Sequence, residues 1–534
     1  MRTSVLIVGG GPVGSTLALD LASRGIDVVV AERNPAGQMP GVKCNHVAAR
    51  TMEIFRRLGI ARTVRDTGLP ADHPNDVAFR TSAVGIEFAR IMIPCRRDRY
   101  TRKDGPDGWW PTPEPPHRIN QIYLDPLLAD CARSHRRVRY INRLEVEGYT
   151  QAADGLSAEA VDGDGVRHII QCGYLVGCDG PSSRIRNLIG ARLTGDAMIG
   201  RTQSTYIRAP GLTSLMQAKP AWSTQVMNPR RSANMFAVDG RETWLIHNYL
   251  RPEEADFSDM DPDACIRAIL GRETPYDVIT RENWIGRRML ADRFRDRRVF
   301  ICGDAAHLWV PFAGYGMNAG IADAMNLSWM LAGVLSGWAD PEILAAHEAE
   351  RWPITEQVSK FAMSTSLSLA RARAEIPDDM ETNPDTRASV GRRMLEMHTP
   401  QFCCGGLNFG SYYDQSPIIH YDGEAAPTYT MDQFTPSTVP GCRTPHISLP
   451  DGRSLYDAMG PDFCLLRFDR SVEVASLRAA ATLRGVPLTV LDVEPTEEYR
   501  HNLVLSRPDQ HVAWRGDALP DNPLALIDKI RGAA

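Results

Sequence analysis

A chain of 534 residues, 43% hydrophobic and 23% charged, has the balance of a soluble globular protein of two or three domains. A net charge of −5 sets up no basic field for nucleic acid or an anionic membrane surface. No run approaches the ~18 apolar residues that span a bilayer. Eleven scattered cysteines include no CxxC pair and no His/Cys cluster at zinc spacing, so no metal centre is expected and a reducing cytoplasm is the expected compartment.

The chain opens with "SVLIVGGGPVGSTLALDLASRGIDVVVAERN", which reads strand, glycine turn, helix, strand. Ser4 to Val8 is a short apolar run, Gly14 to Arg24 has helical spacing with Gly25 as a stop, and Asp27 to Ala31 is a second buried strand. A βαβ unit of about thirty residues requires a parallel sheet and a right-handed crossover. The stretch carries one Arg and no AxA-like cleavage site, so no signal peptide is expected. Gly9, Gly11 and Gly14 form GxGxxG. Gly9 permits the tight turn, Gly11 lets a pyrophosphate reach backbone N–H groups at the helix N-terminus, and Gly14 allows close helix–strand packing. Glu32 ends the second strand, where a carboxylate accepts from ribose hydroxyls. Pro12, Val13 and Arg33 belong to the same candidate set. The motif indicates a dinucleotide without choosing between NAD and FAD.

From 70 to 116 the pattern breaks into loops, with a basic run at Arg96, Arg97, Arg99, Arg102 and Lys103 and the stretch "DGWWPTPEPPH". "YLVGCDGPSSRIR" ends a strand at Asp179-Gly180, followed by Ser183 and Arg186. Four strand-like segments lie between 201 and 250, the last two joined by Asp239-Gly240, a two-residue hairpin signal. They form an antiparallel sheet on which His247 and Tyr249 alternate to one face. "RVFICGDAAH" then runs a strand into Asp304. Pro311, Gly314, Gly316, Met317 and Asn318 lead into helices from 318 to 372. Residues 374 to 440 read as a long wrapping linker, and a fresh α/β pattern begins at 441.

GxGxxG, DGxxSxxR and a late GD motif in this order resemble the single-component flavoprotein aromatic hydroxylases typified by para-hydroxybenzoate hydroxylase, over roughly residues 1 to 365. The resemblance implies an α/β fold. Residues 1–75, 104–194 and 285–373 would form a Rossmann-like FAD-binding domain of the glutathione reductase type. Residues 76–103 and 195–284 would form an inserted substrate-binding sheet, with a linker at 374–440. Residues 441–534 resemble the thioredoxin-like extension of the phenol-hydroxylase and polyketide-hydroxylase branch, here without CxxC. By resemblance Asp304 would bond the ribityl chain of FAD. Gly314 to Asn318 would lay N–H groups against the flavin pyrimidine ring, where a helix N-terminus stabilises negative charge. Lys43 stands where arginine is usual, Gln121 matches a glutamine that reaches FAD, and Asp179 belongs to a motif linked to FAD and nicotinamide, with sheet-end architecture as its other reading. Ala313 and Tyr315 depart from the common glycine and glutamine.

The implied enzyme binds FAD non-covalently, consumes NADPH or NADH, and hydroxylates a phenolic ring through a flavin C4a-hydroperoxide. His247 is the catalytic candidate, and Thr224, Met227, Met235 and Tyr249 are the substrate candidates. No strand arginine marks a carboxylate-bearing substrate, so a neutral or bulky phenol is expected. Small aromatic substrate and O₂ are the expected partners, without nucleic acid or membrane, and a homodimer is the expected assembly. Epoxidation or Baeyer–Villiger chemistry, or flavin binding without turnover, remain as other readings.

Overall fold

The expected opening unit forms as β1 (Arg2–Val8), α1 (Pro12–Ser23) and β2 (Val28–Glu32), with β1 and β2 parallel and Val5 facing Val28. The computed structural model describes residues 1–39, 41, 45–251, 253–310 and 314–534, and Lys43, Pro311 and Ala313 lie outside them. The first sheet continues through β5 (Val138–Asn142), β8 (Arg167–Gly177) and the short β14 (Arg295–Asp296) and β15 (Val299–Ile301), in the order β14-β15-β8-β1-β2-β5. A hairpin of β6 (Leu144–Gln151) and β7 (Leu156–Asp162) extends it along β8. Val5, Leu6, Ile7 and Val30 are fully buried, as continuous apolar strands of a sheet covered on both faces must be. The helices against it include α2 (Ala49–Arg57), α3 (Ala61–Arg65), α4 (Gln121–Ser134) and the single turn α5 (Arg184–Leu188).

The second sheet has eight strands in the order β16-β13-β9-β12-β11-β10-β3-β4. These are β3 (Val77–Arg80), β4 (Glu87–Ile91), β9 (Leu193–Arg208), β10 (Ser223–Val226), β11 (Ala233–Ala237), β12 (Thr243–Tyr249), β13 (Asp277–Ala291) and β16 (His307–Leu308), with α6 (Leu212–Leu215) and α7 (Pro262–Leu270) between them. The hairpin at Asp239 exists, but its loop is longer than two residues. Val238 N–H bonds Thr243 O, and the Asp239 carboxylate gathers the amides of Arg241, Glu242 and Thr243. An Asx carboxylate that satisfies three amides stabilises a wider turn than the type I′ geometry Asp-Gly suggests.

The segment expected as linker is partly helical. After α8 (Tyr315–Leu335) and α9 (Ala345–Ala374), α10 (Pro384–Phe402) and α11 (Gly405–Phe409) follow. Asn383 caps α10 by accepting from the amides of Asp385 and Thr386, with Pro384 at the first position. The capping signal was present, but Pro and Thr content masked it. Beyond this, α12 (Leu455–Met459), β17 (Phe463–Arg467), α13 (Ala475–Arg484), β18 (Leu488–Asp492), β19 (Leu503–Ser506), β20 (Val512–Gly516) and α14 (Pro523–Ile530) build a four-stranded sheet in the order β18-β17-β19-β20. One side of this sheet has its own core, with Cys464, Leu466, Val504 and Val512, and the other shares one with the first sheet's helices. Phe463, Leu465, Leu505 and Ile527 pack in one apolar cluster with Leu17, Leu21, Leu327 and Trp329. Phe463 meets Trp329 edge-on at 5.7 Å.

Candidate cofactor and substrate site

The three motif glycines do different work. A Cβ on Gly9 would lie 2.3 Å from the Cys178 carbonyl oxygen, and one on Gly14 would lie 2.0 Å from the Gly9 carbonyl oxygen. Gly9 also has φ +104°, in the region that favours glycine. Both positions are fixed by the protein's own packing. A Cβ on Gly11 meets nothing within 4 Å, so its glycine serves open space at the uncapped N-terminus of α1. A pyrophosphate fits there. Pro12 is the first helical residue, and Val13 packs its side chain at the junction of Gly303 and Gly320. Glu32 accepts from Gly10 N–H at 2.7 Å and Asn34 N–H at 2.8 Å, which fixes the carboxylate and leaves each oxygen a further lone pair for a ribose hydroxyl. Arg33 stands exposed beside it.

The GD turn sits against the start of α8 because Gly303 and Gly320 touch. A Cβ on Gly320 would lie 2.8 Å from Gly303 Cα. Asp323 locks this contact, accepting from Gly303 N–H at 3.1 Å, His307 Nε2 at 2.7 Å and Arg351 Nε at 2.9 Å. Despite complete burial, the His307 and Arg351 charges hold its carboxyl well below the usual range. Asp304 occupies the short 3₁₀ turn that this arrangement fixes, and Gly314 caps α8 in the left-handed region at φ +65° with no side-chain cap. Gly316 and Met317 lie in the first turn, Gly316 against Trp309. The open space at Gly11, the oriented Glu32, the Asp304 turn and a helix N-terminus suit FAD, which when bound supplies hydride acceptance and oxygen activation.

The side chains of two of the expected cofactor residues also hold the architecture together. Asn318 accepts from Ala48 N–H at 2.8 Å and donates to the carbonyls of His46 and Gly314, so its side chain fastens α8 to the entry of α2. Asp179 caps α5, accepting from Ser183 Oγ and from the amides of Arg184 and Ile185. Three local donors reach the two carboxylate oxygens, which supports the sheet-end reading of Asp179. Arg186 from the same motif donates to Ala305 O at 3.1 Å and so braces the GD turn. Gln121 starts α4 beside its cap Asn120 and donates to Asp125 at 3.2 Å.

Asp304→Ala is expected to weaken FAD binding about 10-fold or more, the loss of one charge-assisted hydrogen bond of ~1.5–3 kcal/mol. Apoprotein unfolding should change little. Flavin-fluorescence titration measures it, and an unchanged dissociation constant removes Asp304 from the site.

The registers of the second sheet sort the substrate candidates by face. His247 lies opposite Ser204 and Asn234, with Tyr249, Tyr206 and Phe236 on the same side. Tyr206 donates to Asn120 Oδ1 at the start of α4, so this face looks onto the cofactor side. Thr224 and Met235 face each other on the opposite side, where Arg281 bonds Asp263 of α7 and Asn248 meets Met260. A period of two thus places them on the face opposite His247 and Tyr206. Met227, beyond the end of β10, is buried in the core of this sheet.

On the cofactor face runs an aromatic row. Trp222 and Phe236 are 5.1 Å apart, Phe236 and His247 5.5 Å, and His247 and Trp284 6.2 Å, with Phe402 of α10 at 6.0 Å from Trp222. Trp284 Nε1 donates to Ser204 Oγ at 2.7 Å, and Ser204 Oγ pairs with His247 Nδ1 at 2.6 Å. With the Ser204 proton on this bond, the neutral imidazole carries its own on Nε2. Burial holds His247 down to about 4.

Two cations reach this face from elsewhere. Arg118 lies 4.0 Å over the Trp222 ring, bonds His46 Nδ1, and has a buried Nη2 without a partner. Arg373 of α9 lies 4.4 Å over Tyr249 and donates to Asn234. Sequence reading searched the strands alone for arginines and missed both. Of those near the strands, Arg208 pairs with Glu242, Arg230 with Glu381 and Arg231 with Glu254.

Residues 2–362 match the family model described as FAD binding domain, and residues 437–533 that described as aromatic-ring hydroxylase, C-terminal. FAD-dependent monooxygenase apdD of Emericella nidulans is 30% identical over 97% of this chain and 88% of its own. Tetracenomycin B2 monooxygenase-dioxygenase of Streptomyces olivaceus is 29% identical over 98% and 97%. The solved structure of the rebeccamycin biosynthetic enzyme RebC with reduced flavin aligns at TM-score 0.90 and 34% identity, over 100% of this chain and 99% of that one. The protein is thus a flavoprotein monooxygenase drawing on NAD(P)H, and the chain belongs to the FAD-dependent aromatic hydroxylases.

Proposed function

We propose that the substrate is a bulky phenolic ring system laid along the row from Trp222 to Trp284, with its hydroxyl at His247. The observation that carries this is the chain Trp284–Ser204–His247, which aims a hydrogen-bonding nitrogen out of an apolar aromatic wall. Its low pKa makes His247 a poor proton sink. It orients the phenol oxygen, while Arg118 lies at the other, Trp222 end of the row. The expectation of a neutral substrate rested on the lack of a strand arginine. Arg118 and Arg373 supply cations from other elements, so net charge drops out of the proposal.

The βαβ–ββα order of the C-terminal sheet supports a thioredoxin-like reading without redox chemistry. All ten cysteines among the described residues are free thiols, in keeping with a cytoplasmic site of action. A homodimer is the assembly we propose, to be read by light scattering.

The test is a panel running from simple hydroxybenzoates to fused-ring phenols, scoring hydroxylated product against hydrogen peroxide. Large phenols should be hydroxylated with tight coupling, and His247→Leu should raise the peroxide share several-fold with flavin content intact. Tight coupling on hydroxybenzoates alone, or coupling indifferent to His247, would sink the assignment.

A further inference from the structure

We propose that a basic pocket at the C-terminal end of α2 binds the phosphate-bearing, adenosine end of the nicotinamide donor. The proposal rests on the reading of the enzyme as NAD(P)H-consuming. A half-open cavity of about 520 Å³ lies between α2, α3 and the turn at 96–100, lined by Arg56, Arg62, Arg65, Arg96, Arg97 and Tyr100. Two carboxylates, Asp66 and Glu114, also face it. Five guanidiniums outnumber the four carboxylates that pair with them, Asp66, Glu114, Asp98 and Asp457, and leave a local excess of positive charge in a chain of net charge −5.

Their pairings leave binding capacity. Arg65 and Arg56 share Glu114, and Arg56 also bonds Asp457. Arg96 bonds Asp66 at 3.1 Å, and its buried Nε has no partner. Arg62 is 95% exposed with Asp66 at 3.7 Å, and Arg97 is 63% exposed with Asp98 at 3.3 Å. Such loose, screened pairs contribute little and yield to a dianion that accepts fork-like from several guanidiniums. Tyr100 adds an exposed aromatic ring that Arg65 supports at 4.9 Å, a platform for a purine. A small inorganic anion would use the arginines and leave this ring idle; an adenosine phosphate uses both.

The position suits the reaction. The α2 N-terminus is tied to the first turn of α8, the flavin end, through Ala48 N–H and Asn318. Nine helical residues carry the chain about 13 Å from there to the pocket. That interval is within the length of an extended dinucleotide whose phosphates sit among the arginines. The excess of positive charge predicts NADPH over NADH.

The test is steady-state kinetics of the holoenzyme carrying Arg62→Ser and Arg97→Ser, both exposed and outside the flavin and substrate contacts. KM for NADPH should rise 10-fold or more. The kcat should stay within two-fold, the FAD dissociation constant should not move, and the inhibition constant of adenosine 2′,5′-bisphosphate should rise in parallel. An unchanged KM overturns the proposal. Inorganic phosphate competing as well as the bisphosphate at equal ionic strength also overturns it, since the pocket would then be an adventitious anion site only. Oxidation of neither donor by the unsubstituted holoenzyme is the distinct result that fails the monooxygenase reading and this proposal with it.

Discussion

Arg507→Met is expected to destabilise the whole protein by about 3–5 kcal/mol and to lower FAD retention, although Arg507 lies in the C-terminal segment. Its guanidinium is completely buried and donates to Glu350 of α9 at 2.6 and 2.9 Å and to Asp509 at 2.6 and 3.0 Å. Glu350 also accepts from Asn326 of α8 at 2.6 Å and from Ser416. Removing the cation leaves two carboxylates buried without their partner. The effect should reach the flavin because Glu350 neighbours Arg351, which holds Asp323 and, through it, Gly303 of the GD turn. A second tether runs through Glu53 of α2, which is bonded by Arg50, Thr112 and Arg443. Adding Glu350→Leu to Arg507→Met should recover part of the loss, since an apolar replacement of a buried pair is far less costly than breaking it. Thermal unfolding and flavin release of the two variants measure this. A single substitution that leaves both unchanged, or a double one additive with the single losses, would show that the network is not the tether. Deleting residues 441–534 is the poorer experiment, because Leu17, Leu327 and Trp329 would lose the packing of Phe463 and Leu465.

What the sequence exposed was local. The turn at Gly9, the crossover to Glu32 and the Gly303-Asp304 strand end each show as short motifs whose chemistry follows from glycine geometry and helix ends, although Cys178, Arg186 and Arg351 complete their packing from far along the chain. The alternation that put His247 and Tyr249 on one face was equally visible. Which face looks toward the cofactor was not, because that depends on Tyr206 reaching Asn120 and on Arg281 reaching Asp263, pairs far apart in the chain. For that reason the sequence could not show that Thr224 and Met235 lie on the face opposite His247. Arg118 and Arg373 were invisible as site residues because one precedes α4 and the other ends α9, and only tertiary packing brings them over Trp222 and Tyr249. Asp179 and Asn318 match the motif, yet their side chains are consumed by neighbouring amides and carbonyls, which a pattern of residue types cannot distinguish from a ligand contact. The shared core of the C-terminal sheet was hidden likewise, since Phe463 reads as a strand residue whether it packs against its own helices or against Trp329.

Acidification should unfold the holoenzyme cooperatively between pH 6.5 and 4. Burial holds His247, His347 and His446 down to about 4 and His117 and His398 to about 3, and it lowers His46, His73 and His511 as well. These groups are neutral in the folded protein and take up protons near 6.5 once unfolded, so the unfolded state binds more protons below that pH and stability falls as pH falls. A histidine displaced by two pKa units or more contributes on the order of 3 kcal/mol, and several together match the ~5–15 kcal/mol that hold a typical domain. Asp107 and Asp462, pushed upward by burial, act in the opposite sense but are two against eight. Below pH 4 the depressed carboxyl of Asp20, ringed by Arg24, Arg57 and Ser328, adds to the loss. Near-ultraviolet circular dichroism and released flavin fluorescence, followed from pH 8 to 4, should give one transition. His398 sits between Phe79 at 5.0 Å and Phe402 at 6.1 Å, where a phenyl ring fits. His398→Phe removes one protonation site without opening a cavity, so it should move the midpoint to lower pH. A holoenzyme that keeps its flavin and its near-ultraviolet signal through pH 4, or a midpoint unmoved by His398→Phe, would mean that the buried histidines find protonated states the fold can accommodate.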